Sequence, residues 1–390
     1  MISLEKVFVL GGGVTKIGEH WNKSLRDLFV EAALKAAENS NIELRDIEAV
    51  YVGNMSSGEL QGQEHLGSLM ATWLGIPGVA AVKVEAACAS GGAVFHQAYL
   101  AVASGVYDCV LVGGVEKMTD AVVHDVTAAL IMADDAEYTA FTGASFVGLN
   151  ALVYRYYMEK YSVKQEDIAL FSVHDHKYAA NNPYAQYPFQ VSLEKVLSSP
   201  LIADPIRLFE CAPIGDGAAV LILCSERFAK ERGIKPEVEV AASALATDTI
   251  SLVDRDDLTT LAATVKAAKK AYKKAGVEPR DIDVMEVHDA FTILGVIHLE
   301  DLGFAEKGEG WRLVKEGEIE KDSKIPTNLS GGLKARGHPV GATGVYQVYE
   351  IYQQLTGTAP NQVGKAEVGL AQSVGGVGGT VVVNILRRVR

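Results

Sequence analysis

The chain has 390 residues, enough for two packed domains or one large duplicated α/β core. Apolar residues make up 48% and glycine 38 positions, with aromatics at only 7%. That balance suits a Val/Ala/Gly-rich layered α/β enzyme and argues against a disordered or fibrous chain; the net charge of −13 argues against a nucleic-acid footprint and leaves room for one local basic pocket.

Lys6 to Leu10 reads as a short buried strand breaking at Gly11-Gly12-Gly13, a turn where backbone approaches backbone. A dinucleotide fingerprint counted from Gly11 would need glycine where Lys16 stands, so that motif fails. Ser24 is placed to cap a helix through Leu25, Leu28, Phe29, Ala32, Ala33 and Ala36. Ile47 to Val52 is strand-like, and residues 55–81 hold a second helical segment closed by Gly75-Ile76-Pro77-Gly78. The apolar run Val79 to Val84 ends in a small-residue corner, Glu85-Ala86-Ala87-Cys88-Ala89-Ser90-Gly91. Helical spacing follows through Val94, Ala98, Ala101 and Val102. A helix start exposes backbone N–H groups and partial positive charge, which drives a thiol there toward thiolate. The other reading of Cys88 is a small buried hydrophobe.

Cys109 to Val112 is the next strand, ended by Gly113-Gly114. From about 118 to 205 the chain is richer in Tyr, His, Asp and Asn. It carries helical patterns over Phe146–Tyr161 and Gln165–Ala180, then a Pro- and Tyr-rich stretch, Asn182 to Phe189. This reads as an excursion laid over the core, of the kind that usually serves as a functional cover. Sheet pattern resumes at Ala218–Leu223 and Val238–Ala242. The four cysteines (Cys88, Cys109, Cys211, Cys224) form no C-x-x-C pair, which fits a reducing compartment. No leader peptide and no window of about 18 apolar residues is apparent, so a soluble, cytoplasmic protein is expected.

An internal repeat organises the chain. Lys35–Asn54 and Lys270–Asp289, 235 residues apart, share seven of twenty residues with no gap, each reading helix, turn, Arg-Asp-Ile, strand. A duplicated α/β half follows. The Cys88 helix then needs a counterpart, and Thr343–Leu355, introduced by Gly337-His338-Pro339, supplies it. Duplication would bring two helix starts together, one bearing Cys88 and the other His338.

Four loops form a set: Cys88, His288-Asp289-Ala290-Phe291, Gly337-His338-Pro339 and Ser373-Val374-Gly375-Gly376. A cysteine near a histidine base is a recipe for acyl transfer, with a second histidine and backbone N–H groups left to hold oxyanions. Taken singly, His288 or His338 is more often structural. His174-Asp175-His176 lacks a third metal ligand at recognisable spacing and reads as solvated or ligand-facing. Lys269, Lys270, Lys273 and Lys274 read as the wet face of a helix, and Asp254–Asp257 as a solvated loop.

At these residues the sequence resembles the thiolase family, essentially end to end. The cysteine corner carries the likeness, with Gly113-Gly114-Val115-Glu116-Lys117-Met118, Asp216-Gly217-Ala218-Ala219 and Gly337-His338-Pro339-Val340-Gly341-Ala342-Thr343-Gly344. His288-Asp289-x-Phe291 is similar to the archaeal and sterol-carrier-type branch. The resemblance implies a duplicated five-layer thiolase fold, two similar α/β halves with an inserted loop domain. Residues 1–117 with 206–235 would form the N-terminal half, 118–205 the covering domain and 236–390 the C-terminal half.

The resemblance also implies an acetyl-CoA C-acetyltransferase. Cys88 would be the nucleophile and His338 its base; His338 with His288 would bind the thioester oxygen of the second substrate. The N–H groups of Cys88 and Gly375 would form the oxyanion hole of the acyl-enzyme. It implies no metal and no cofactor beyond coenzyme A thioesters as substrates. The partners it implies are a homodimer or dimer of dimers, a hydroxymethylglutaryl-CoA synthase and an OB-fold zinc-ribbon protein in the mevalonate pathway, with neither nucleic acid nor membrane. One departure stands out: the family's second cysteine is replaced at both its usual positions, by Ser373 and Ala290. A serine hydroxyl is a far poorer acid/base than a thiol of pKa about 8.5, which raises the alternatives of a thiolase-scaffold lyase, another acyltransferase or a non-catalytic coenzyme-A-binding subunit.

Overall fold

The computed structural model describes residues 5–389. Strand β1 (Val7–Val14) is buried throughout and, contrary to the expected turn, continues through Gly11, Gly12 and Gly13 with a register shift against β7 between Val9 and Gly11. The reason is helix α1 (Leu25–Ser40), which lies across it. A Cβ on Gly13 would stand 2.5 Å from the Lys35 Cβ and 2.6 Å from the Ala36 nitrogen, so the glycines admit a helix backbone rather than bend a strand. The start of α1 is as expected: Ser24 and Asp27 close a reciprocal capping box.

After β2 (Ala49–Gly53), residues 55–81 form two short helices rather than one, α2 (Ser57–Gln61) and α3 (Leu66–Trp73). Gly62, at φ +60°, terminates the first. Then come β3 (Ala80–Val84), α4 (Ser90–Ala103) and β4 (Cys109–Glu116). β4 also continues through its glycines, because a Cβ on Gly113 would meet the Phe29 ring of α1 at 2.7 Å. The chain then leaves the sheet for α5 (Val123–Ile131), α6 (Phe146–Tyr161), α7 (Gln165–Ala179), α8 (Leu193–Leu197) and the hairpin β5 (Leu201–Ala203)–β6 (Ile206–Arg207). It returns as β7 (Gly217–Ser225), followed by α9 (Glu226–Glu231), β8 (Val238–Thr247), α10 (Ala262–Ala275) and β9 (Val284–Glu286). The last elements are α11 (Thr292–Asp301), α12 (Gly310–Lys315), α13 (Thr343–Thr356), β10 (Val368–Gly375) and β11 (Thr380–Arg388).

The strand order is β3-β2-β4-β7-β1-β8-β11-β10-β9. The duplication is visible in it. From β1 outward the partners are β7 (antiparallel), β4 (antiparallel) and β2 (parallel); from β8 outward they are β11, β10 and β9 in the same senses. The repeated segments 35–54 and 270–289 therefore end in equivalent strands, β2 and β9. Thr327, bridged in parallel to Met285, stands where β3 stands beside β2. The two half-sheets join through only two residue pairs, Phe8–Glu239 and Val9–Val238.

Side-chain alternation along the strands sorts the core into layers. Val220 and Ile222 of β7 pack outward with Phe29 of α1, while Leu221 and Leu223 face Val94 of α4 and Val345 of α13. In the other half Leu386 joins that middle layer, while Ile385 faces Ala267 of α10. The result is helix, sheet, two central helices, sheet, helix. The central helices cross in contact: a Cβ on Gly91 would lie 2.7 Å from the Gly344 nitrogen. Both helix starts thus meet at the carboxyl ends of the parallel strands, where ligands bind in open α/β sheets. Among the described residues no helix is long and apolar enough to cross a membrane.

Candidate active site

Cys88 lies between β3 and α4, two residues before the helix starts at Ser90. Ala87 before it is held at φ +51°, unusual for a residue with a Cβ. The Ser90 hydroxyl secures that kink, accepting from the Ala86 N–H at 2.9 Å and donating to the Ala87 carbonyl at 2.6 Å. The sulfur faces the backbone N–H groups of Gly376 and of Cys88 itself. Gly375, one residue earlier, packs against the same corner: a Cβ there would come within 3.2 Å of the Ala89 Cβ.

The expectation of a resting thiolate is not met. Burial pushes the Cys88 thiol up to about 12 and the Glu116 carboxylate adds to the shift; the two N–H groups offset only part of it. The corner is buried and stands near a carboxylate, and both effects oppose the helix dipole.

His338 introduces α13 as Cys88 introduces α4. Its Nδ1 lies 2.7 Å from the Thr343 hydroxyl, which itself donates to the Pro339 carbonyl at 3.1 Å. The hydroxyl proton is thereby committed, so Nδ1 must be the donor and Nε2 is left bare. Nε2 is buried and without a hydrogen-bond partner. Burial, with the Arg336 guanidinium nearby, brings the His338 pKa down to about 3. His288 follows β9, and its pKa is driven well below the ordinary value by burial first, then by His338, His298 and Arg336. The two rings meet edge to face, centroids 5.0 Å apart. One donor atom from each of Cys88, His288 and His338 lies within 4.8 Å of the others. The structure thus gathers three of the expected residues as a neutral thiol beside two neutral imidazoles.

Ser373 arrives on β10 facing α4, where a Cβ on Gly92 would stand 2.8 Å from its own Cβ. Its hydroxyl is buried without a partner. Ala290 lines the cavity wall, its carbonyl accepting from the Ala212 N–H at 2.8 Å.

Several residues that hold this arrangement received no role from the sequence. Glu116, fully buried at the end of β4, accepts from the N–H groups of Met55, Ser56 and Gly341, the Asn54 amide and the Ser56 hydroxyl, all at 2.6–3.0 Å. It ties the loop after β2 to the loop carrying His338. Removing it as Glu116→Ala strands two buried backbone donors, Ser56 and Gly341, and the part-buried Met55, at about 1–3 kcal/mol for each buried one. A fall in stability of several kcal/mol in urea unfolding is therefore expected, with Glu116→Gln milder; a loss under about 1 kcal/mol would show the loops to be held otherwise. Its only sequence signal is its place in Gly113–Met118. In the same motif Lys117 pairs with buried Asp216 at 2.8 Å, anchoring the start of the covering segment.

His174-Asp175-His176 is not solvated: all three lie buried within α7. Asp175 contacts Lys334 at 2.6 Å, and Lys334 also pairs with Asp289 beside His288. His176 lines the cavity. The solvated reading fails because Asp175 finds its countercharge in Lys334 and His174 its partner in the Thr327 carbonyl, both far off in sequence, while His176 fits the ligand-facing alternative. The lysine face of α10 is exposed, as expected.

A cavity of about 650 Å³ opens onto Cys88 and His338. Its walls are largely apolar, with Phe146, Phe189, Phe209 and Phe291 among them. An apolar channel of this size ending at a thiol and an imidazole, with a second imidazole packed behind them, on a duplicated five-layer α/β frame, defines an acyl-transferring enzyme of the thiolase type.

The comparisons agree. The Thiolase, N-terminal domain model matches residues 7–227, and the Thiolase C-terminal domain-like model matches 244–388. An acetyl-CoA acetyltransferase of Methanothermobacter thermautotrophicus is 48% identical over 386 residues, covering 99% of this chain and all of that one. Sterol carrier protein 2 of Homo sapiens is 33% identical over 99% of this chain and 72% of its own. Among solved structures, the Ltp2-ChsH2(DUF35) aldolase matches with a TM-score of 0.85 at 23% identity over 99% of each chain, a likeness of fold. The chain belongs to the thiolase family, and it is an acyltransferase.

Proposed function

We propose that the protein is an acetyl-CoA C-acetyltransferase that joins two acetyl-CoA molecules through a Cys88 acyl-enzyme. The observation that carries this reading is the bare, buried Nε2 of His338 in a cluster with the Cys88 sulfur. As the first thioester arrives, Cys88 attacks its carbonyl carbon and the thiol proton passes to that nitrogen. With the pair neutral at rest, the thiolate forms in the step that uses it. Coenzyme A leaves and takes a proton from water; the acyl-enzyme's oxyanion is held by the N–H groups of Cys88 and Gly375.

His338, now protonated, faces the thioester oxygen of the second acetyl-CoA. His288 takes the methyl proton, because neither Ser373 nor Ala290 offers a thiol for the task. It therefore serves here as the base rather than as a second oxygen donor. The enolate attacks the acyl-cysteine, Cys88 recovers its proton from His338, and His288 gives the methyl proton to water, replacing the one coenzyme A took and restoring the resting state. Product analysis with acetyl-CoA alone tests the reading: acetoacetyl-CoA should accumulate to the small extent equilibrium permits. Acyl-cysteine without any carbon–carbon product would favour the second reading, a thiolase-scaffold lyase or another acyltransferase, which the loss of both second-cysteine positions supports.

The same reading gives a cytoplasmic enzyme feeding hydroxymethylglutaryl-CoA synthesis in the mevalonate pathway. Its partners would be a hydroxymethylglutaryl-CoA synthase and an OB-fold zinc-ribbon protein. It works as a homodimer or a dimer of dimers. Support for self-association comes from β3, an edge strand with Val82 48% exposed, whose one charge, Lys83, is drawn off to Glu64 at 2.9 Å. Light scattering at micromolar concentration should give a multiple of 41.6 kDa; a monodisperse particle of 41.6 kDa would contradict it.

A further inference from the structure

The residues that gather for acyl transfer also form a donor set of another kind. Each of Cys88, His288 and His338 offers one ligand atom within 4.8 Å of the other two, and all three residues are buried. Tetrahedral zinc, with bonds of about 2.3 Å to sulfur and about 2.0–2.1 Å to nitrogen, sets separations of roughly 3.3–3.6 Å among one sulfur and two nitrogens. Closing the cluster around an ion therefore asks for side-chain shifts of about 1 Å at most, not for a new fold.

The nitrogens are available. Nε2 of His338 and Nδ1 of His288 are buried without hydrogen-bond partners. The Thr343 hydroxyl on Nδ1 of His338 fixes that ring and its tautomer, as outer-shell groups do for metal-bound histidines. The rings stand at 84° to each other, so they cannot stack, and their nitrogens are free to converge. One sulfur and two imidazoles suit zinc and its analogue cobalt, and do not suit magnesium or calcium. With three protein ligands the fourth position is left to the cavity, onto which Cys88 and His338 open.

We propose that Cys88, His288 and His338 form a reversible, inhibitory zinc site. One Zn²⁺ binds the Cys88 sulfur and one nitrogen of each imidazole, one thiol proton is released, and no electron moves. Water from the cavity, or the thiol of free coenzyme A, takes the fourth place. While the ion is bound, both the sulfur lone pair and Nε2 of His338 are occupied, so acyl transfer stops. Metal binding stands on geometry alone; its inhibitory consequence rests on Cys88 being the nucleophile.

The test uses the full chain, stripped with a chelator and titrated with Co²⁺ as the spectroscopic probe. One equivalent should produce tetrahedral d–d bands with a thiolate-to-cobalt charge-transfer band, displaced by Zn²⁺ and untouched by Mg²⁺. Cys88→Ser should lose the charge-transfer band. Thr343→Val should weaken binding by about tenfold, the low end for an outer-shell partner. Cys211→Ser, which removes the other thiol on the cavity wall, should keep the band. No charge-transfer band in the wild type, a band surviving in Cys88→Ser, or one lost in Cys211→Ser would overturn the site. Zn²⁺ should also inhibit turnover, with recovery on adding chelator. Full turnover with the cobalt band present would refute the inhibitory role and count against Cys88 as nucleophile, while the metal site itself would stand.

Discussion

Cys88→Ser should abolish transfer of radiolabelled acetyl from acetyl-CoA to the protein while leaving its unfolding curve nearly unchanged. The hydroxyl is close in size to the thiol, so the 2%-exposed site gains no cavity. What disappears is nucleophilicity: a hydroxyl holds its proton far more firmly than a thiol, so the transfer to His338 that ionises Cys88 leaves the serine neutral. A companion measurement reads the thiol's resting state. Because burial and Glu116 hold the Cys88 pKa up to about 12, its alkylation by iodoacetamide should keep rising through pH 9. Normal labelling of Cys88→Ser would sink the nucleophile assignment. An alkylation plateau below pH 8 would show instead that the thiolate is present at rest.

That resting state was the least legible part of the site. The small-residue corner before a helix is visible in Glu85–Gly91, and a helix start does favour an anion. The opposing effects are burial and a carboxylate that reaches the corner from β4, and neither can be counted along the chain. Duplication was legible because residues 35–54 and 270–289 repeat both identities and hydrophobic phase, and the repeat alone puts Cys88 and His338 on facing helix starts. Gly11–Gly13 and Gly113–Gly114 misled for a physical reason. In sequence a glycine cluster signals a turn, yet here the strands continue, and the missing Cβ atoms make room for α1 at Gly11, Gly13 and Gly113, for Tyr349 of α13 at Gly12 and for the Gly341–Ala342 backbone at Gly114. His174–His176 misled in the opposite sense. Polar residues on a helix read as wet unless their buried partner is known, and Lys334 enters from a loop of the other half.

The second large effect belongs to His288. His288→Ala should still accept acetyl from acetyl-CoA, since His338 and the backbone N–H groups at Cys88 remain, but it should lose condensation by the 10²–10⁴-fold typical of a general base. Exchange of solvent hydrogen into the acetyl methyl should fall in parallel, because both need the same proton removed. The low pKa of His288 sets the protonation state: the ring is neutral, and so competent as a base, throughout the neutral range. The condensation rate should therefore show no acidic limb near pH 6.5, where an ordinary histidine titrates. Ser373 provides the contrast. Its hydroxyl is buried, unpartnered and packed against the first turn of α4, and at neutral pH it holds its proton too firmly to act as a base. Ser373→Ala should cost less than about tenfold, through small shifts of the loop that carries Gly375. The reverse ranking, with Ser373→Ala crippling condensation and His288→Ala nearly silent, would move the base to the serine or to a water bound beside it. His288 would then revert to the role the family resemblance implies, holding the thioester oxygen together with His338.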